Sequence, residues 1–198
     1  MISRRALLQG VAGAAAVAAV GSATAFALPA GALRPPGAQD DDRFWGACIR
    51  CDRCRSVCPT SAIGVAKLEE GLLAARTPRM EFRLGYCNAC GGTYRCIGAC
   101  PTGALQPFDP DSDKIGMAVI DREKCETFGV SAACNAECVS ACPTEALALD
   151  DEGRLGIDEE TCWGCGACEF ACPSNAYRTY DGSTRRGISI ELWKGRDS

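Results

Sequence analysis

Sixteen of the 198 residues are cysteine, none is histidine, and the cysteines fall into four blocks. The first is Cys48-x2-Cys51-x2-Cys54-x3-Cys58-Pro59, and the fourth repeats it as Cys162-x2-Cys165-x2-Cys168-x3-Cys172-Pro173. The second stretches one gap, giving Cys87-x2-Cys90-x5-Cys96-x3-Cys100-Pro101. The third sets its first cysteine apart, as Cys125-x8-Cys134-x3-Cys138-x3-Cys142-Pro143. In C-x2-C-x2-C a short loop directs three thiolates towards one point, where they can hold three corners of a 4Fe–4S cubane. The x3 step carries the next cysteine one turn on and away from its own loop, so that it serves the other cluster of a pair. The proline after it lacks an N–H and has a fixed φ, which constrains the chain leaving the turn. On this reading all sixteen cysteines are iron ligands and the chain holds four 4Fe–4S clusters.

Blocks two and three are variants of the rule. Gly91-Gly92 gives the longer loop of block two its freedom. The wide gap after Cys125 costs little entropy to close, yet Cys125 is the ligand where a substitution would show. Sharing of the fourth cysteines can be nested, one with four and two with three, or sequential, one with two and three with four. The likeness of the two regular outer blocks, and of the two irregular inner ones, favours the nested scheme.

Other uses of the cysteines fit less well. Without histidine there is no c-type haem attachment, Rieske centre or Cys/His finger. Four-cysteine zinc sites pair two C-x2-C knuckles and do not need the x3-C-P ending. A disulfide scaffold suits an exported chain, but has no reason to repeat one spacing rule with proline at the same place. The formal net charge of −4 offers no nucleic-acid footprint. There is no nucleotide-binding glycine fingerprint and no paired-carboxylate motif, so the chain is expected to carry electrons and not to be an enzyme.

Only short pieces are available to position these loops. Ala146 to Leu149, a turn at 150–153 and Leu155 to Ile157 read as strand, turn, strand. Ala104-Leu105 and Met117 to Asp121 flank a Pro/Asp loop in the same way, and Met80 to Leu84 alternates ahead of Cys87. Lys67 to Arg76 is expected to be a short helix, and Ile188 to Trp193 a strand with Trp193 as a candidate partner anchor. Trp163, Phe170, Tyr86, Tyr94 and Tyr177 are expected to cover the clusters from water. These pieces make no large apolar core, so the clusters act as staples. The fold class is α+β: a small, loop-rich tandem of bacterial-type ferredoxin modules, two pseudo-twofold modules of two clusters each.

The N-terminus has a different character. Ser3-Arg4-Arg5 and two leucines precede an uncharged Ala/Gly/Val stretch ending at Ala25-Phe26-Ala27. That is the pattern of a signal peptide over 1–27, of the twin-arginine type; retained, it would be an anchor. Export of a folded chain suits clusters assembled inside the cell. Residues 28–42 read as a linker, 43–180 as the cluster region and 181–198 as a C-terminal tail.

With its twin-arginine start, Arg34-Pro35-Pro36-Gly37, Cys48-Ile49-Arg50-Cys51, two irregular central blocks and a regular fourth one, the chain resembles the NapG/MauM-type polyferredoxins. Those proteins are associated with periplasmic nitrate reduction and methylamine oxidation. The resemblance implies a 4Fe–4S ferredoxin fold and a periplasmic location, with peripheral or signal-anchored membrane association. It also implies work as a relay between a membrane quinol-oxidising subunit and a periplasmic reductase or dehydrogenase. A tightly bound subunit of a molybdenum-type oxidoreductase is the alternative.

Overall fold

The computed structural model describes residues 31–129, 134–174 and 186–193. The signal-like stretch, Tyr177 and Arg185 therefore lie outside the described residues. The described residues divide into two compact units: 65–77 with Gly31, and 32–64 with those from Pro78 onward.

The larger unit holds all sixteen cysteines. Its first helix, α1 (Asp41–Ala47), starts because the Asp40 carboxylate accepts the Arg43 amide at 3.1 Å, with Asp41 and Asp42 in the first turn. It ends where the Cys48 amide donates to the Phe44 carbonyl at 2.9 Å. Four one-turn helices follow, each carrying the third cysteine of a block: α2 (Arg53–Ser56), α3 (Arg95–Gly98), α4 (Glu137–Ala141) and α5 (Ala167–Ala171).

Each of the four starts from a left-handed residue: Asp52, Tyr94, Ala136 and Gly166. That backbone turn swings the third thiol of a block back towards the loop bearing the others. Asp52, Tyr94 and Ala136 adopt it against a cost of about 1–2 kcal/mol apiece, as non-glycine residues do.

Among the described residues, three two-stranded sheets connect these helices. Strand β1 (Ile63–Val65) pairs with β2 (Pro78–Met80), β3 (Met117–Ile120) with β6 (Ile188–Glu191), and β4 (Leu147–Leu149) with β5 (Leu155–Ile157). The β4–β5 hairpin follows the sequence expectation. Strand β3 does not pair with Ala104-Leu105; it runs antiparallel to β6, with Met117 opposite Glu191 and Ile120 opposite Ile188. Of the residues expected to form a tail, Ile188 and Ile190 are buried in the core, at 1% and 6% exposed, while Trp193 is exposed. Only Pro78–Met80 of the stretch before Cys87 is strand, and Phe82 is buried in the turn beyond it.

The expected linker is packed over its described part. Pro35, Pro36 and Ala38 are buried. Arg34, 4% exposed, lies over the rings of Phe44 and Trp45 at 4.1 and 4.7 Å, and pairs with Asp41 at 3.3 Å. Gly37 takes φ +80, and a Cβ there would collide with the backbone of Gln106; the Gln106 amide donates to the Gly37 carbonyl at 2.8 Å. Composition alone reads this stretch as polar and flexible. The cation–aromatic stack explains why it folds.

In the smaller unit, Leu68–Glu70 is one 3-10 turn, where Glu70 accepts the Lys67 amide at 2.8 Å, and turns follow it. The expected helix over 67–76 is not formed. Gly71, at φ 116, ends the turn.

Candidate metal centres

All sixteen cysteines are free thiols, none joined in a disulfide. They stand in four quartets. Cys48, Cys51, Cys54 and Cys100 line one hollow. Cys58, Cys87, Cys90 and Cys96 line another. In the second half, Cys138 has the thiols of Cys172, Cys125 and Cys134 as electrostatic neighbours. Cys165 has those of Cys142 and Cys162, and Cys168 has Cys165 and Cys162.

Every quartet thus takes three cysteines from one block and the fourth from another. Cys58 and Cys100 are exchanged between blocks one and two, Cys142 and Cys172 between three and four. This corrects the nested expectation: the pairing is sequential. The two connections within a pair explain it. The chain from Cys58 returns through β1 and β2 to set block two against block one, and the β4–β5 hairpin returns block four against block three. Cys125, despite its long gap, stands with its quartet.

The electrostatics of the quartets ask for a cationic body among the sulfurs. Burial pushes the Cys54, Cys87 and Cys138 thiols up to about 12, and Cys96 and Cys165 up to about 11. Burial also pushes Cys168 up, with Cys165, Cys162 and Cys138 adding repulsion. Four desolvated thiolates side by side are unfavourable alone and favourable around iron. Among the described residues no three His, Cys, Asp or Glu side chains converge closely enough for a single metal ion. Quartets of thiols are the ligand set that a 4Fe–4S cubane takes.

Backbone amides face the sulfurs. Amides two residues on address Cys48, Cys87, Cys134 and Cys165, from Arg50, Ala89, Ala136 and Ala167; the Ala136 amide is 3.3 Å from Cys134 Sγ. Burial raises Cys100, but the amides of Leu105, Thr102 and Ala104 with the Thr102 hydroxyl outweigh it and hold the thiol below its ordinary value. Hydroxyls also stand beside Cys125 (Thr127, 3.1 Å) and Cys172 (Ser174, 3.2 Å). Spacing did not reveal these hydroxyls, although the Cys-Pro-Thr and Cys-Pro-Ser turns carry most of them.

The expected covering aromatics form two groups. Tyr94, Phe108 and Trp163 make a chain with centroids 5.5 and 5.9 Å apart, and Tyr86 meets Phe170 at 5.8 Å. Trp163 is buried, as a cover should be, whereas Phe170 is 43% exposed. Arg34, which composition hid, has Cys48 among its electrostatic neighbours and is its buried cation.

Comparison with known proteins agrees with this arrangement. The family description "4Fe-4S dicluster domain" matches residues 47–104, which hold blocks one and two, and 132–176, which hold blocks three and four from Cys134 onward. The ferredoxin-type protein NapG of Escherichia coli (strain K12) is 35% identical over 153 residues, 71% of this chain and 65% of that protein. The methylamine utilization ferredoxin-type protein MauM of Methylorubrum extorquens is 35% identical over 154 residues, 71% of this chain and 68% of its own. That of Methylobacillus flagellatus is 36% identical over 175 residues, 79% and 73% of the two chains. The chain thus spans about two thirds of the length of such relatives. With paired dicluster matches, this identity and free thiols grouped in fours, the chain belongs to the NapG/MauM family of ferredoxin-type iron–sulfur electron-transfer proteins.

Proposed function

We propose that the chain holds four 4Fe–4S clusters, one per thiol quartet, and relays electrons without substrate chemistry of its own. The observation that carries this is the exchange of Cys58 and Cys100, each of which lines the hollow of the other block. Such exchange is the ligand logic of two-cluster ferredoxins. Bound there, 4Fe–4S clusters supply reversible one-electron chemistry, within a range of roughly −700 to +450 mV.

The chain's own residues set the order of the sites. Cys54 has Cys96 as a neighbour, Cys87 has Cys165, and Cys168 has Cys138. The four sites therefore follow the order of blocks one, two, four, three, and the two outer ones face partners. Amides and hydroxyls at the sulfurs favour the reduced, more negative state. Six of the sixteen cysteines are buried and nine are half-buried, which limits the water that reaches their sulfurs.

The twin-arginine pattern at Arg4-Arg5 supports export of the loaded chain to the periplasm. There the partners are a quinol-oxidising membrane subunit on one side and a periplasmic reductase or dehydrogenase on the other. Among the described residues no helix is long and apolar enough to cross a membrane.

Iron and acid-labile sulfide analysis on anaerobically purified protein tests the central claim. About sixteen of each per chain is expected from four cubanes; zinc in their place would end the redox reading. For export, lysines at both Arg4 and Arg5 should hold the chain inside the cell.

A further inference from the structure

The cysteine loops of the two pairs differ in the charged residues they carry. Segments 48–58 and 87–100 contain Arg50, Arg53, Arg55 and Arg95 against one acid, Asp52. Segments 125–142 and 162–172 contain Glu126, Glu137 and Glu169 and no Lys or Arg. The four arginines are exposed, and α2, which bears Arg53 and Arg55, packs on α3, which Arg95 begins.

One thiol lies at this basic face. Cys51 is the exposed cysteine of the sixteen, and Ile49, 64% exposed, stands two residues before it. Ile49, Arg50 and Cys51 all line the hollow of the first quartet. An exposed ligand, one apolar contact and several exposed guanidinium groups are what a brief electron-transfer encounter uses. Such interfaces are small and rely on charge steering more than on buried area.

We infer that the face around Cys51 is a docking port for the acidic face of a redox protein. This inference rests on the reading of the quartets as cluster sites. Arginine is suited to the role, because its fork meets carboxylates two bonds at a time. Through the port one electron is exchanged with a one-electron carrier on the partner. One protein is oxidised by one and the other reduced by one, with no bond made and no proton moved. A protein occupant is favoured over anionic lipid because Arg50 and Arg53 flank the exposed thiol of Cys51 in the chain, and a lipid headgroup takes up no electron.

The test uses the full chain loaded with iron and sulfide, with nitrogen-15-labelled cytochrome b5 as an acidic probe and cytochrome c as a basic one. Binding is read from the chemical shifts of the acidic probe at low and high salt. The Arg53→Glu/Arg55→Glu variant should bind the acidic probe about tenfold more weakly, a change of about 1.4 kcal/mol, and salt should weaken the wild type towards it. The Arg53→Lys/Arg55→Lys variant should keep most of the affinity, and cytochrome c should gain nothing from the wild-type port. Unchanged binding of the acidic probe after charge reversal would overturn the port. So would arginine-dependent sedimentation with phosphatidylglycerol vesicles while the acidic probe binds neither form. Iron content and the reduced EPR spectrum should be the same in all variants. A wild type lacking iron would instead refute the cluster reading itself.

Discussion

The Cys87 amide donates to the Cys165 carbonyl at 2.8 Å, so the loop of block two is joined by backbone to the loop of block four. This bond ties the first pair of blocks to the second. Beside it, the Ile115 amide donates to the Trp163 carbonyl at 2.9 Å. The junction is therefore held by main chain, which substitution of surface side chains does not loosen.

Exchange of the fourth cysteines makes a prediction that the nested scheme does not. Cys100→Ser should alter the same EPR signal as Cys51→Ser, although Cys100 lies in block two. Cys58→Ser should alter the signal that Cys90→Ser alters. Spectra of these reduced variants and of Cys165→Ser decide between the schemes, and a match of Cys58→Ser with Cys165→Ser would restore nesting.

Ser174 is placed to tune the site of Cys172. Its oxygen accepts the Gly187 amide at 2.6 Å, which leaves the hydroxyl proton for Cys172 Sγ at 3.2 Å. Thr127 does likewise, accepting the Leu155 amide at 3.2 Å and facing Cys125. Thr60 cannot, because its hydroxyl donates to the Tyr86 carbonyl at 2.6 Å. A hydrogen bond to sulfur favours the more negative, reduced state. Ser174→Ala and Thr127→Val should each lower the potential of that site by about 40 mV, for a bond of about 1 kcal/mol. Thr60→Val should move its own site far less. Redox titration followed by EPR measures all three.

Gly166 bears on both folding and the junction. At φ +82 it begins α5, and a Cβ there would strike the buried ring of Phe82. Gly166→Ala should cost about 2–4 kcal/mol from overpacking and left-handed strain. The loss is measurable as a lower midpoint of thermal unfolding under anaerobic conditions.

Glu169 gives stability a pH dependence. Its carboxylate accepts the Ile190 amide at 2.7 Å and so fastens β6 to α5. Burial pushes this carboxyl above its ordinary value, against the pull of that amide and of Arg186. With the folded value raised, the contribution is complete below the ordinary value near 4.5 and is lost as pH rises through the raised one. Glu169→Gln keeps an acceptor for Ile190 and removes the ionisation. The variant should match the wild type near pH 4 and melt higher at pH 7.

How much of this was legible in the chain follows from what spacing encodes. The distances between cysteines within a block state which thiols can converge, so membership of each loop could be read directly. Gap lengths say nothing about which block lies opposite, and likeness between blocks one and four misled on that point. The strand, turn, strand over 146–157 held the answer, since a hairpin between two blocks makes them neighbours. The Arg34–Gly37 segment was misread for a related reason. Proline and glycine look like a linker until a buried guanidinium on Phe44 and Trp45 gives them something to pack against. Left-handed starts at Asp52, Tyr94 and Ala136 had no sequence signal, because glycine occupies that place in block four alone.

Because each loop completes its set of sulfurs with a thiol from its opposite number, no single block is self-sufficient. Deleting one strips a ligand from a centre whose other three remain in place. Chains of this design can therefore grow or shrink only in twos, and the smallest heritable part is the interlocked couple.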